Sequence, residues 1–235
     1  MKTRSFINVA LAAVAALAGS AAASVASAAA LPACPPDGTY TYVLNAGAQK
    51  FGDSSIVVKH DAVSVSLHEV EAVATGQRTS DETVEPVMLT PTSYAETFPI
   101  NPSVTVTAHY TFDPGGAKLS VDGTAGATDF RLEQGTTHQI VMDGAMMSGF
   151  LLLPSQVKAQ GFTSVTTLVP STAQQVVFQI DASASPTRPS TVPAADVSLA
   201  VTGSTSFIEW YDPHTMLVDE VDVPAQQVVI SRTKT

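Results

Sequence analysis

The chain has a single cysteine and few basic residues, and both shortages exclude classes of protein. One cysteine among 235 residues cannot form a disulfide within the chain. Lysine and arginine total 11 against 21 acidic residues, so the sequence lacks the basic surface that a nucleic-acid binder needs. After the first thirty residues, no apolar run approaches the roughly 18 residues that a membrane-spanning helix requires.

The first thirty residues have the pattern of a secretory signal peptide. Lys2 and Arg4 precede an apolar run over 6–18, and small residues suited to cleavage follow it. Removing residues 1–30 takes away two basic residues and no acidic one, so the net charge changes from −10 to about −12. We expect residues 31–235 to form a single exported domain, periplasmic or extracellular.

A competing interpretation concerns the lone cysteine. The segment Leu31-Pro32-Ala33-Cys34 resembles a bacterial lipobox, in which the cysteine is lipidated and becomes the new N-terminus. Its proline and its distance from the apolar run depart from that pattern. Lipidation of Cys34 would anchor the protein to a membrane through acyl chains. A free thiol before the first strand is the alternative.

Short segments with alternating apolar and polar residues dominate the remaining chain. In the clearest one, 103–112, the residues on one face are Val104, Val106, Ala108, Tyr110 and Phe112. Turn sequences such as Asp113-Pro114-Gly115-Gly116 separate these segments. One apolar face is typical of antiparallel sheets. The pattern predicts a mainly β fold of ten or eleven strands, as a single antiparallel curved sheet or half-barrel built as a meander. A β-sandwich is the alternative.

One segment, 143–161, breaks the alternation and predicts one or two short helices around 144–160. Pro154 suits the first turn of a helix, and Gly161 suits the position just after its end. Methionine-rich surfaces adapt to varied apolar ligands. The segment would lie across the sheet as a lid over a hydrophobic cleft, or it would fill the core. The candidate ligand contacts are Met146, Met147, Phe150 and Leu152.

Motifs for catalysis and metal binding are weak in this sequence. No Gly-x-Ser-x-Gly elbow is present, and the five histidines form no pair at ligand spacing. Two carboxylates from distant strands would suffice for hydrolysis of glycosides, but the pattern does not single out a pair. We therefore assign no catalytic residue, metal or cofactor. A hydrolase with dispersed carboxylates stays an alternative to a non-enzymatic protein.

The C-terminal hairpin carries a resemblance to a known group of proteins. A strand ending in Trp210-Tyr211-Asp212-Pro213 is followed by one ending in Val221-Asp222-Val223-Pro224, and Tyr42-Val43-Leu44-Asn45 opens the domain. This pattern resembles bacterial exported envelope domains of unknown function, some of which are similar to the outer-membrane lipoprotein carrier. The resemblance implies an antiparallel half-barrel around helical elements, with a hydrophobic concavity that holds acyl chains in the carrier family.

These observations predict an exported, non-enzymatic envelope protein. Its partner would be an apolar small molecule, a lipid or an envelope protein. A structural or adhesive β-sandwich of the envelope is the alternative of a different class.

Overall fold

The chain folds into a large β-sheet that carries an α-helix on one face. The computed structural model describes residues 34–74, 76–101, 104–122, 128–132, 137–144 and 146–233. Within these residues fifteen strands form one sheet, so the mainly β prediction is confirmed and the predicted count of ten or eleven is too low. A β-sandwich needs two sheets, and the described strands are continuous in one.

The strands and the helix alternate with short connections. In chain order the elements are β1 (Gly38–Ala46), β2 (Gln49–His60), β3 (Val65–Val73), β4 (Gly76–Val84), β5 (Pro91–Asn101), β6 (Val104–Asp113), β7 (Gly116–Val121), β8 (Thr128–Arg131), β9 (Gln139–Val141), α1 (Met147–Gln160), β10 (Ser164–Val169), β11 (Gln174–Asp181), β12 (Val197–Thr202), β13 (Phe207–Tyr211), β14 (Val218–Val223) and β15 (Val228–Arg232).

Two antiparallel meanders make up the sheet. The first runs from β1 outward to β8, and the second runs from β10 to β15. They join where β15 pairs antiparallel with β1, with Leu44 opposite Ile230. Sequential strands pair in both meanders because a short turn leaves the next strand beside the last one. The predicted meander is therefore present, and it is present twice.

The pairing of β9 with β10 is parallel and departs from the expected antiparallel pattern. Two parallel neighbours require a crossover connection, and α1 supplies it by running over one face of the sheet between them. We call the face that carries α1 the inner face. The helix therefore connects the edge strand β9 to β10, the first strand of the second meander.

The two edges of the sheet, β8 and β9, approach each other without pairing. The Gln139 side-chain amide donates hydrogen bonds to the carbonyl oxygens of Asp113 (2.8 Å) and Gly116 (3.0 Å). The Gln175 amide donates to the carbonyl oxygen of Arg131 at 2.7 Å. A cluster of buried residues from β5 to β8 also includes Val141 of β9. These contacts curl the sheet around α1.

The helix is buried along most of its length. Ten consecutive residues, Met147 to Gln156, are buried, which is expected of a helix enclosed on all sides. The helix predicted around 144–160 is confirmed as a single one, and Pro154 lies inside it and not in its first turn. The ring costs one backbone hydrogen bond there, and burial of the surrounding leucines outweighs that loss. Gly161 follows the helix in the left-handed conformation, with φ 68°, as predicted.

Packing of α1 against β9 depends on a residue without a side chain. A Cβ atom on Gly149 would lie 2.2 Å from the Val141 carbonyl oxygen, so any larger residue must displace backbone. We expect Gly149→Ala to lower the free energy of unfolding by about 1–3 kcal/mol, although alanine favours the helix intrinsically by about 1 kcal/mol. Urea unfolding followed by circular dichroism measures the change. A stabilised variant would contradict this packing.

Candidate functional site

The inner face is polar on one half and apolar on the other. The polar half lies on β2 to β5, where buried polar side chains occupy inward positions of consecutive strands. They are Ser54, Glu69, Glu71, Ser80, Glu82 and Glu96. Asp143, which precedes α1, is buried beside them. We call Glu71, Glu82, Glu96, Asp143 and Arg78 the acid cluster.

Arg78 is the cation at the centre of the acid cluster. Its guanidinium donates to Glu96 Oε1, with the Nε–Oε1 distance 3.0 Å, and lies 3.2 Å from Asp143 Oδ2. Glu71 Oε2 is 3.6 Å away. The Tyr94 hydroxyl donates to the other Glu96 oxygen at 2.9 Å. One positive charge therefore serves three carboxyl groups.

Burial shifts the three glutamates of the cluster toward their neutral forms. Desolvation raises the pKa of Glu82 to about 8, helped by the charge of Glu69. Desolvation also raises the pKa of Glu71 and of Glu96 to about 7, although Arg78 opposes both shifts. At neutral pH the cluster is a mixture of protonated and ionised carboxyl groups, because Arg78 cannot neutralise them all.

Several buried atoms at the acid cluster have no hydrogen-bond partner. They are Glu71 Oε2, Glu82 Oε2, Ser80 Oγ and Tyr110 Oη. Within the described part of the chain, no group of three or more histidine, cysteine, aspartate or glutamate side chains is arranged to hold a metal ion. The carboxyl groups of the cluster are at most 3% exposed, which separates them from solvent and from any substrate outside.

The first turn of α1 is held by a carboxyl group from the sheet. Glu69 Oε1 accepts from the Met147 N–H (2.7 Å) and Oε2 accepts from the Ser148 N–H (2.8 Å), while the Ser54 hydroxyl donates to Oε1 at 2.6 Å. The N-cap residue, Met146, has no side-chain acceptor of its own. Glu69 therefore performs the capping role from a strand 78 residues earlier.

Replacing the capping carboxyl should loosen the helix. Glu69→Gln keeps one carbonyl oxygen and turns an amide toward the other backbone N–H, so we expect a loss of about 1–3 kcal/mol in the free energy of unfolding. Glu71→Gln is the matched control. It alters a carboxyl on the same face of β3 that caps no helix, and we expect a smaller loss. Equal losses in urea unfolding would contradict the cap.

The acid cluster predicts an unusual dependence of stability on pH. The raised pKa of Glu82, Glu71 and Glu96 means that the folded chain binds protons that the unfolded chain has lost between about pH 4.5 and 8. The free energy of unfolding should therefore fall as pH rises through this range, by up to about 1.4 kcal/mol per pH unit for each group.

Glu82→Gln isolates one contributor to this slope. Its amide stays neutral at every pH, so the variant should lose less stability than the parent between pH 5 and pH 8. Asp129→Asn, which alters an exposed carboxyl on β8, is the control. Denaturant unfolding at several pH values measures both slopes, and an unchanged slope in Glu82→Gln would overturn the assignment.

An apolar groove of about 480 Å³ opens on the other half of the inner face. We call it groove A. Its lining combines residues of β2, α1, β11, β13 and β15, and includes Phe51, Phe150, Val176, Phe178, Phe207 and Ile230. Among the described residues none of the lining is charged, and its polar residues are threonine, serine and glutamine. Its volume falls in the range of ligand sites, about 300–1,000 Å³.

A second groove of about 440 Å³ lies toward the C-terminal end of α1. We call it groove B. Its lining is mostly apolar and includes Pro154, Val157, Phe162, Ile180, Tyr211 and Met216. Lys158 is the charged residue of this lining. The two grooves use different segments of α1, β11 and β13.

The four predicted ligand contacts separate into one groove residue and three core residues. Phe150 lines groove A and packs edge-on against Phe207, with ring centroids 5.2 Å apart. Met146, Met147 and Leu152 are at most 1% exposed and lie in the protein interior. The segment mainly fills the core, which was one of the two interpretations of its composition.

Cys34 is partly buried and packs against the hydrophobic core. Burial raises the pKa of its thiol to about 12, so the thiol is protonated at neutral pH and is a poor nucleophile. Lipidation of Cys34 stays a prediction.

The acid cluster was not among the sites expected from the sequence, although the pattern of residues contains a signal for it. Glu69 and Glu71 continue the inward phase of Val65 and Leu67 on β3. Glu82 likewise shares the inward phase of Val84 on β4. A carboxyl in phase with buried aliphatic residues is a candidate buried acid, and this rule would have found all three.

Comparison with protein-family models, curated proteins and solved structures finds no match for the chain. Among the described residues, no helix is both long enough and apolar enough to cross a membrane.

Proposed function

We propose that the protein is an exported, non-enzymatic envelope protein that binds an uncharged apolar chain, such as the alkyl or acyl chain of a lipid, in groove A. The observation that carries the proposal is the groove itself, about 480 Å³ in volume and free of charged lining residues. The signal-like residues 1–30 supply the expectation of export, and the resemblance to lipoprotein carriers supplies the expectation of an apolar ligand.

The lining favours a flexible hydrocarbon chain over a planar polar ligand. Four phenylalanine rings and several aliphatic side chains offer contact area, while the hydrogen-bonding groups are few and uncharged. Each methylene buried there contributes about 0.8 kcal/mol, so a long chain gains affinity from length and not from specific contacts.

Charge near the groove disfavours an anionic ligand. Met142 and Gly144 line groove A, and the residue between them is Asp143 of the acid cluster. The chain as a whole carries a net charge of −10. A fatty-acid carboxylate would meet this negative field without a free cation in the lining, whereas an alcohol of equal length would not.

Binding can be tested with a neutral fluorescent probe, N-phenyl-1-naphthylamine. Trp210 is a poor reporter, because it lies on the opposite face of β13 from Phe207 and stacks under Arg188 at 5.5 Å. We expect saturable probe binding that 1-hexadecanol displaces. Hexadecanoate should displace the probe about tenfold less well.

Val176→Trp should fill groove A and weaken probe binding by about tenfold or more. Val177→Trp is the matched control, since neighbouring residues of β11 point to opposite faces and Val177 is absent from the groove lining. Loss of binding in both variants, or no saturable binding by the parent, would contradict the proposal and favour a structural role in the envelope.

A further inference from the structure

We propose that Glu209 is a ligand-binding residue at the junction of grooves A and B, where its carboxyl hydrogen-bonds the hydroxyl group of a long-chain alcohol or a similar hydroxyl-bearing lipid. This inference rests on the proposed function. It adds one hydrogen-bonding group to a groove whose lining otherwise recognises only the apolar part of a ligand, and it specifies that the ligand carries a hydroxyl group.

Both grooves are lined by residues of α1, β11 and β13. On β13, Phe207 lines groove A and Tyr211 lines groove B. On α1, Phe150 lines groove A, and Pro154, one turn later, lines groove B. One helical turn rises about 5.4 Å, so only a thin layer of side chains separates the grooves.

Glu209 occupies that layer. It lies between Phe207 and Tyr211 on β13, and alternation along a strand puts all three side chains on the inner face. Its register partners are Leu199 on β12 and Val221 on β14, which both belong to the hydrophobic core. The carboxyl is therefore the polar group of an apolar wall between the two cavities.

No hydrogen bond satisfies the Glu209 carboxyl. The side chain has 0% exposure, and neither Oε1 nor Oε2 has a partner. A leucine at this position would fill the wall without leaving unsatisfied polar atoms. Buried polar groups in proteins are nearly always paired, so an unpaired one between two ligand-sized cavities points to a partner supplied from outside the chain.

The chemistry of the carboxyl defines the partner. Burial raises the pKa of Glu209 well above its usual value, which favours the neutral form of the carboxyl group. A neutral carboxyl offers one donor and one acceptor, and a hydroxyl group offers the same pair. A ligand carboxylate would place a charge in the apolar wall, so an alcohol fits better. Rotation of Tyr211, which is only partly buried, would open the path from groove B.

The test compares two ligands that differ in one polar group. The dissociation constants of 1-dodecanol and 1-chlorododecane are measured by displacement of N-phenyl-1-naphthylamine. In the parent protein we expect 1-dodecanol to bind about tenfold more tightly, the equivalent of about one net hydrogen bond. In Glu209→Leu the hydroxyl of 1-dodecanol would be buried without a partner, so 1-dodecanol should bind no more tightly than 1-chlorododecane, whose affinity should be retained. Glu209→Gln, which keeps a donor and an acceptor, should preserve most of the preference.

Asp222→Asn is the matched control, because Asp222 neighbours the inward-facing Val221 on β14 and its side chain points to the other face. Its preference for 1-dodecanol should equal that of the parent. A spectroscopic readout is the infrared band of the protonated carboxyl, which should shift with 1-dodecanol, stay in place with 1-chlorododecane and vanish in Glu209→Leu.

The outcomes separate the two proposals. If neither ligand binds the parent protein, the proposed function fails. If both bind with equal affinity, or if Glu209→Leu keeps the preference for the alcohol, groove A stands as a binding site and Glu209 is not its anchor.

Discussion

The hydrogen bonds from the first turn of α1 to Glu69 are the contact on which the architecture depends. A helix begins with N–H groups that lack partners within it, and around a buried helix water cannot supply them. Met146 has no side-chain acceptor at the N-cap, so the acceptor comes from β3. The same contact holds α1 on the inner face. Because α1 is the crossover between the parallel strands β9 and β10, the contact also fixes the connection at that edge of the sheet.

The division of the inner face into polar and apolar halves follows from the position of that contact. Glu69 stands at the boundary, with the acid cluster on one side and the apolar core on the other. Arg78 lies beside three carboxyl groups and offers them a single positive charge, and burial raises the pKa of two of them, Glu71 and Glu96. Groove A lies on the apolar half and ends beside Asp143. Its lining is therefore apolar, and an acidic residue stands next to it.

Much of the secondary structure is readable from local pattern, and the site is not. Alternation locates β6 to within a residue, and Gly161 locates the end of α1. Short strands such as β8 and β9 are not predicted from the sequence, because three or four residues contain too few alternations to be distinguished from a loop. Phe150, which lines groove A, could be named from the sequence because it belongs to an apolar run. Glu209 was overlooked because one carboxyl inside a strand reads as an outward polar residue until its neighbours in space are known.

By itself the sequence determined that the domain is sheet-built, acidic and without an intrachain disulfide, and which side chains share a face in strands with clear alternation, such as β6. These properties are local, because side chains in a strand alternate with a period of two. Only the tertiary structure decided that β1 pairs with β15, that Glu69 caps α1, and that the Glu209 carboxyl is buried among apolar residues. Those contacts join residues that are far apart in the chain, and they depend on sheet curvature and register, which no local pattern encodes.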